Sequence, residues 1–179
     1  MITGVTCGLS MCDHPDWSVP LRGWPPKSPE PTKKRHHETK GKAMLTPSVS
    51  LGYVILYVKD VSASLAFYEA AFGLARRFYH EDNGQAYGEL ETGATRLAFA
   101  SLELAKAHLK QDVVAASTDQ APLGVEIALV APDVPALYAR AVKAGATAVS
   151  EPATRPWGQT VAYLRDNAGH LVELCTPLP

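Results

Sequence analysis

From Leu51 onward the apolar positions alternate between two periods. "YVILYVKD" is a short run rich in β-branched and aromatic residues, the pattern of a buried strand. In "DVSASLAFYEAAFG", Leu65, Tyr68, Ala71 and Phe72 recur at helical spacing, Asp60 or Ser62 supplies a cap, and Gly73 supplies the stop. Three short strands are expected next, "ARRFYHE", "QAYGELE" and "TRLAFAS", divided by the turn clusters "DNG" and "TG". A brief helical piece, "LELAKAHL", leads into the polar connector "KQDVVAASTDQAP".

The order then repeats. "LGVEIALVAPDV" reads as a strand, and "PDVPALYARAVKAG" as a helix with Pro135 in its first turn and Gly145 past its end. The strands "ATAVSEP", "QTVAYLRD" and "HLVELCTP" follow, with "DNAG" as the last hairpin turn. Leu51-Gly52 precedes Leu123-Gly124 by 72 residues, Asp60-Val61 precedes Asp133-Val134 by 73, and Gly73 precedes Gly145 by 72. Agreement of order, caps and offsets indicates an internal duplication. The expected fold is α+β, two tandem βαβββ modules at about 50–110 and 122–177, with their sheets forming a concave trough suited to a small molecule.

Composition narrows the partners. A net charge of −1 gives no electrostatic case for nucleic acid or an anionic membrane. No apolar stretch approaches the roughly 20 residues that span a bilayer. Residues 1–46 differ from the rest: rich in Pro and Lys and without period, they hold seven Lys or Arg against four Asp or Glu, a net of +3. Residues 47–179, the expected domain, hold ten against fourteen, a net of −4. A segment of the first kind buries too little apolar surface to offset its ordering entropy, so disorder is expected. Met44, just before the compact part, is an alternative start. Cys7, Cys12, His14, His36 and His37 match no standard zinc spacing, and "KKRHH" reads as a solvated charge run. Three cysteines make no disulfide framework and the N-terminus makes a poor signal peptide, so a cytoplasmic setting is expected.

"YVILYVKDVSASLAFYEAAFGL" and "PWGQTVAYLRDNAGHLVEL", with the duplication, resemble the vicinal oxygen chelate superfamily of glyoxalase I, bleomycin-resistance proteins, fosfomycin-resistance enzymes and extradiol dioxygenases. The resemblance covers about residues 50–177, with "DNAG" in place of the commoner Asp-Pro-Asp-Gly. It implies metal-ligand positions at Tyr53 and Glu126 on the first strand of each module, and at Ala98 and Glu173 on the last. In metal-dependent relatives these positions hold His and carboxylates, so the set here is incomplete: two carboxylates, one phenol and an alanine. Such a set makes a weak site for a Lewis-acidic ion, and no metal or other cofactor is expected. His80, His108 and His170 fall at strand ends, a connector and a turn, where solvation is the ordinary state.

Glu173 interrupts an otherwise apolar strand, and a carboxylate there needs a partner, a metal or water. One reading pairs it, or Glu126, with Tyr53 or Arg96 in a polar network. The other places both glutamates in a wet trough as anchors for a ligand, where each raises the other's affinity for a proton. Trp157, on the Pro-Gly-flanked loop "RPWGQ", is placed to cover the trough mouth, with Gln159 following on the strand. Phe67, Tyr68 and Phe72 are expected in the core. The expected function is binding of a small organic molecule, as the resemblance to metal-free bleomycin-resistance proteins implies, through Tyr53, Glu126, Trp157, Gln159 and Glu173. The alternative is a glyoxalase-like lyase or isomerase holding a divalent metal, with Glu173 as catalytic base. Pairing into a homodimer is also implied by the resemblance.

Overall fold

A computed structural model of the chain describes residues 49–178. The expected tail of residues 1–46, with its cysteines, histidines and Met44, lies outside the described residues. The elements run β1 (Tyr53–Val58), α1 (Val61–Phe72), β2 (Arg76–Asp82), β3 (Gln85–Leu90), β4 (Arg96–Ser101) and α2 (Leu102–Leu109). They continue as β5 (Glu126–Val130), α3 (Val134–Lys143), β6 (Thr147–Thr154), β7 (Thr160–Arg165) and β8 (Leu171–Cys175). The described residues thus form two βαβββ modules with one extra helix, an α+β fold. None of the described helices is long and apolar enough to cross a membrane.

Each module folds the same way. Its sheet has the order first, fourth, third, second: β1-β4-β3-β2, then β5-β8-β7-β6. The first strand lies parallel to the last, with Tyr53 opposite Arg96 and Glu126 opposite Leu171, and the remaining pairs are antiparallel. A parallel pair needs a crossover, and the helix supplies it. Asp60 caps α1 by accepting from the Ala63 amide at 2.8 Å, and Asp133 caps α3 by accepting from Ala136 at 3.0 Å. The aspartate of each repeated Asp-Val pair therefore has one job in both halves. Gly73 ends α1 in a left-handed conformation (φ 72°) that an L side chain adopts only with strain.

The two modules share one core through their helices. Leu56, Leu65, Tyr68 and Phe99 of the first and Val134, Ala141, Leu164 and Leu174 of the second belong to a single apolar cluster, with α1 against α3. Full burial stabilises each large side chain by about 1.5–3 kcal/mol. Tyr68 meets Phe67, Phe72 and Phe99 edge to face with centroids 5.0–5.6 Å apart. Polar ties cross the same junction. The Tyr68 hydroxyl donates to Asp166 Oδ2 at 3.1 Å, and Arg140 Nε donates to the Ala71 carbonyl at 2.7 Å.

Sheet faces turned away from α1 and α3 differ between the modules. On the first, α2 lays Leu104 over Tyr87, Ala98 and Ala100, with Tyr57 and Phe78 alongside. On the second, Glu126, Ala128 and Val130 of β5 are exposed. Because β1 and β5 each pair on one side only, both leave a free backbone edge.

His170 corrects the expectation for turn histidines. It is 5% exposed, with Nδ1 3.0 Å from Asp166 Oδ2 and its amide donating to Asp166 Oδ1 at 2.7 Å. His108 lies within α2 and not in the connector.

Candidate functional site

Strand alternation puts Glu173 of β8 and Tyr163 of β7 on the outward face of the second sheet, directly opposite one another. The Tyr163 hydroxyl donates to Glu173 Oε2 at 3.1 Å. Glu126 begins β5 two residues before Ala128, the partner of Glu173, so the two glutamates meet on a diagonal. Local desolvation, then the neighbouring Glu173 carboxylate, raise the Glu126 carboxyl above the ordinary glutamate value. Burial and Glu173 also raise the Tyr163 phenol and the thiol of Cys175, the next outward residue on β8. The cluster is therefore a carboxylate pair able to share a proton, with a neutral phenol donating to it. It can accept hydrogen bonds from a ligand, hold a cation, or take up a proton.

Tyr53 stands elsewhere. On the first sheet its hydroxyl accepts from Arg96 Nη1 at 3.1 Å, and the guanidinium carbon lies 5.4 Å from the ring centroid. Among the described residues no hydrogen bond joins it to Glu126 or Glu173. The described partner of Glu173 is Tyr163. Ala98 is fully buried in mid-sheet, directly across from Glu89 of β3. Trp157 is 57% exposed; its indole N–H donates to Gln159 Oε1 at 2.8 Å, and Gln159 Nε2 donates to the Thr176 carbonyl at 2.7 Å. Gln159 thus fixes the Trp157 loop to the end of β8.

The family-implied metal does not fit these residues. The second sheet offers two carboxylates, Tyr53 faces a cation on the other sheet, and Ala98 has no donor. Among the described residues no group of three or more His, Cys, Asp or Glu side chains gathers as a metal ion requires.

Between the modules lies a cleft of about 880 Å3, within the size range of small-molecule sites. Val54, Leu97, Ile127, Leu129 and Leu137 make its walls apolar, and Glu126 and Arg96 also line it. Every residue from Glu126 to Asp133 borders the cleft, so it runs along the free edge of β5. Of the five residues expected from sequence to bind a ligand, Glu126 alone lines it; diagonally placed from Glu173, it links the cleft to the carboxylate cluster.

Sequence reasoning passed over Tyr163 and Glu89. The signal for Tyr163 was available, since in the hairpin "AYLRDNAGHLVEL" the register about the turn sets it opposite Glu173. Glu89 is 1% exposed on a strand whose alternation reads equally well as solvent-facing. Its burial comes from α2 and neighbouring strands, which local pattern does not encode.

A profile of the Glyoxalase/Bleomycin resistance protein/Dioxygenase superfamily matches residues 50–174. Among solved structures, a glyoxalase-related enzyme from Fulvimarina pelagi is similar at 22% identity, over 72% of this chain and 88% of that one, with a TM-score of 0.60. A glyoxalase/bleomycin resistance protein/dioxygenase from Nocardioides is 20% identical over 74% and 85%, with a TM-score of 0.58. TioX from Micromonospora sp. ML1 is 22% identical over 72% and 98%, with a TM-score of 0.53. At such identities the likeness is one of fold. No curated protein gives a significant match.

Proposed function

The chain belongs to the Glyoxalase/Bleomycin resistance protein/Dioxygenase superfamily, and on that premise we propose that it binds a small organic molecule, with Glu126 and Glu173 as its polar anchors. The observation behind this reading is the diagonal glutamate pair on β5 and β8, with Glu126 at the edge of an apolar cleft of about 880 Å3. Apolar walls with few convergent polar groups are the ordinary make-up of a small-molecule site. A ligand bearing an amine or another donor beside an apolar body matches both parts. Trp157, on its pinned loop, offers an exposed aromatic surface near the end of β8. The free edges of β1 and β5 favour a homodimer, and the unpaired, buried Cys175 suits a reducing cytoplasm.

Thermal-shift titration with hydrophobic amines and their uncharged isosteres tests the reading. Amines should stabilise the wild type, and Glu173→Gln should weaken that response by at least tenfold in Kd. Equal stabilisation by amines and isosteres would overturn the anchor assignment. The metal-dependent lyase alternative predicts stoichiometric metal in protein purified without tag or chelator, which elemental analysis reads directly. Sedimentation velocity at micromolar concentration tests the dimer.

A further inference from the structure

A polar row crosses the first sheet through Glu89. Glu89, on β3, accepts from the Tyr87 hydroxyl at 3.0 Å through Oε1. Its Oε2 is buried without a hydrogen-bond donor, with Arg77 Nε at 3.4 Å and Arg96 Nε at 3.7 Å. Arg96 passes the row on to Tyr53 at the β1 edge. Arg77 joins from β2 because the register slips between Arg76 and Phe78, a bulge that redirects one side chain. Two guanidinium groups therefore flank one carboxylate that is only 2% exposed, while Arg77 stays 36% and Arg96 20% exposed. An ion buried this deeply is costly unless its neighbours are fixed around it. Placed so, Glu89 sets the two arginines while their outer parts remain within reach of solvent.

Beside the row, Tyr53 is 50% and Ile55 41% exposed, and Phe78 is half-buried. We propose that this face is a second binding site, for a small organic carboxylate with an aromatic or apolar body, its carboxylate held by Arg77 and Arg96 and its body lying on Tyr53, Ile55 and Phe78. Guanidinium groups match carboxylates in geometry as well as charge, and two of them converge here where the second sheet presents two glutamates. Glu91, which accepts from Arg77 Nη1 at 3.2 Å, is half-exposed and yields readily to a competing carboxylate.

The test uses the full chain, with 2-naphthoate and its neutral isostere 2-naphthamide as probes, followed by amide-resonance NMR. Naphthoate should saturate, with shifts centred on residues 53–58, 77–89 and 96–100, and bind at least tenfold tighter than the amide. Arg77→Gln and Arg96→Gln should each weaken naphthoate about tenfold, a charged hydrogen bond's worth. If Arg96→Gln fails to fold, Arg77→Gln and the acid–amide contrast in the wild type still decide. Equal affinity for acid and amide, no saturation, or unchanged affinity in the folded variants would overturn the proposal. So would shifts confined to residues 160–175, whereas equal affinity, no saturation or unaffected variants leave the glutamate-pair reading untouched.

Discussion

Tyr68 and Asp166 are 98 positions apart in the chain, and each is fully buried at the other's side. Burial and the neighbouring carboxylate raise the Tyr68 phenol well above its ordinary value, so it remains a proton donor at every physiological pH. Asp166 also accepts from the Ala168 amide at 3.0 Å, so a residue of helix α1 completes the turn that closes the second module. Tyr68→Phe keeps the ring packing and removes one donor. Urea unfolding should show a loss of about 1.5–3 kcal/mol with an unchanged m-value. A loss under about 0.5 kcal/mol would mean that His170 alone satisfies that oxygen.

For Glu173→Gln, the neighbours of the side chain, the Tyr163 hydroxyl and the like-charged Glu126, set the direction. The amide can still accept from Tyr163 and can donate to Glu126, so one charge repulsion disappears at nearly constant volume. Stability at neutral pH should stay equal or rise, while binding of a hydrophobic amine should weaken by roughly 1.5–3 kcal/mol. A stability loss of about 3–5 kcal/mol would instead identify a buried positive partner.

The raised Glu126 carboxyl fixes a sign for pH dependence. Between the ordinary glutamate value and the raised folded value, the folded chain holds more protons than the unfolded one. Stability from this group therefore falls as pH rises through that window, and stays level above it. Melting temperature followed from pH 4 to pH 7 should decline less in Glu126→Gln than in the wild type. Parallel curves would show that the pair does not share a proton.

Two glycines should resist substitution for different reasons. A Cβ on Gly88 would come within 2.5 Å of Leu65 Cδ1, a side-chain overlap that costs about 1–3 kcal/mol in a packed core. At Gly169, φ is +98° and a Cβ would overlap the Ser117 carbonyl carbon and lie 2.7 Å from the Thr118 amide nitrogen, backbone that has nowhere to go. Gly169→Ala should be the more damaging, by both strain and clash, and thermal melts of the two variants rank them.

Much of this was legible in the residues. Periodicity, capping aspartates and the offsets of the duplication located the strands and helices, because those signals are local. The diagonal contact of Glu126 with Glu173 followed from two strand positions that the resemblance had paired. The row through Glu89 did not, since it needs a bulge at Arg77 and a helix over Leu104, both products of tertiary packing. His170 looked like a solvated turn residue, and only the distant Tyr68 and buried Asp166 make it a core one. The cleft along β5 was likewise invisible, because it is bounded by both modules at once.

Arg165 gives the duplication an asymmetry. It is 7% exposed, and its guanidinium donates to the carbonyls of Ser117, Thr118, Gln120 and Gly169. The linker between the halves is thereby sewn into the final hairpin of the second. A chain broken between Lys110 and Val114 would leave that stitching whole within the downstream fragment, which could re-form with the upstream one. Broken between Ala121 and Leu123, the downstream piece would carry a buried cation stripped of three of its four acceptors, and the pair should fail to complement. The seam at which these two halves can be parted thus lies upstream of the boundary that the repeat itself marks.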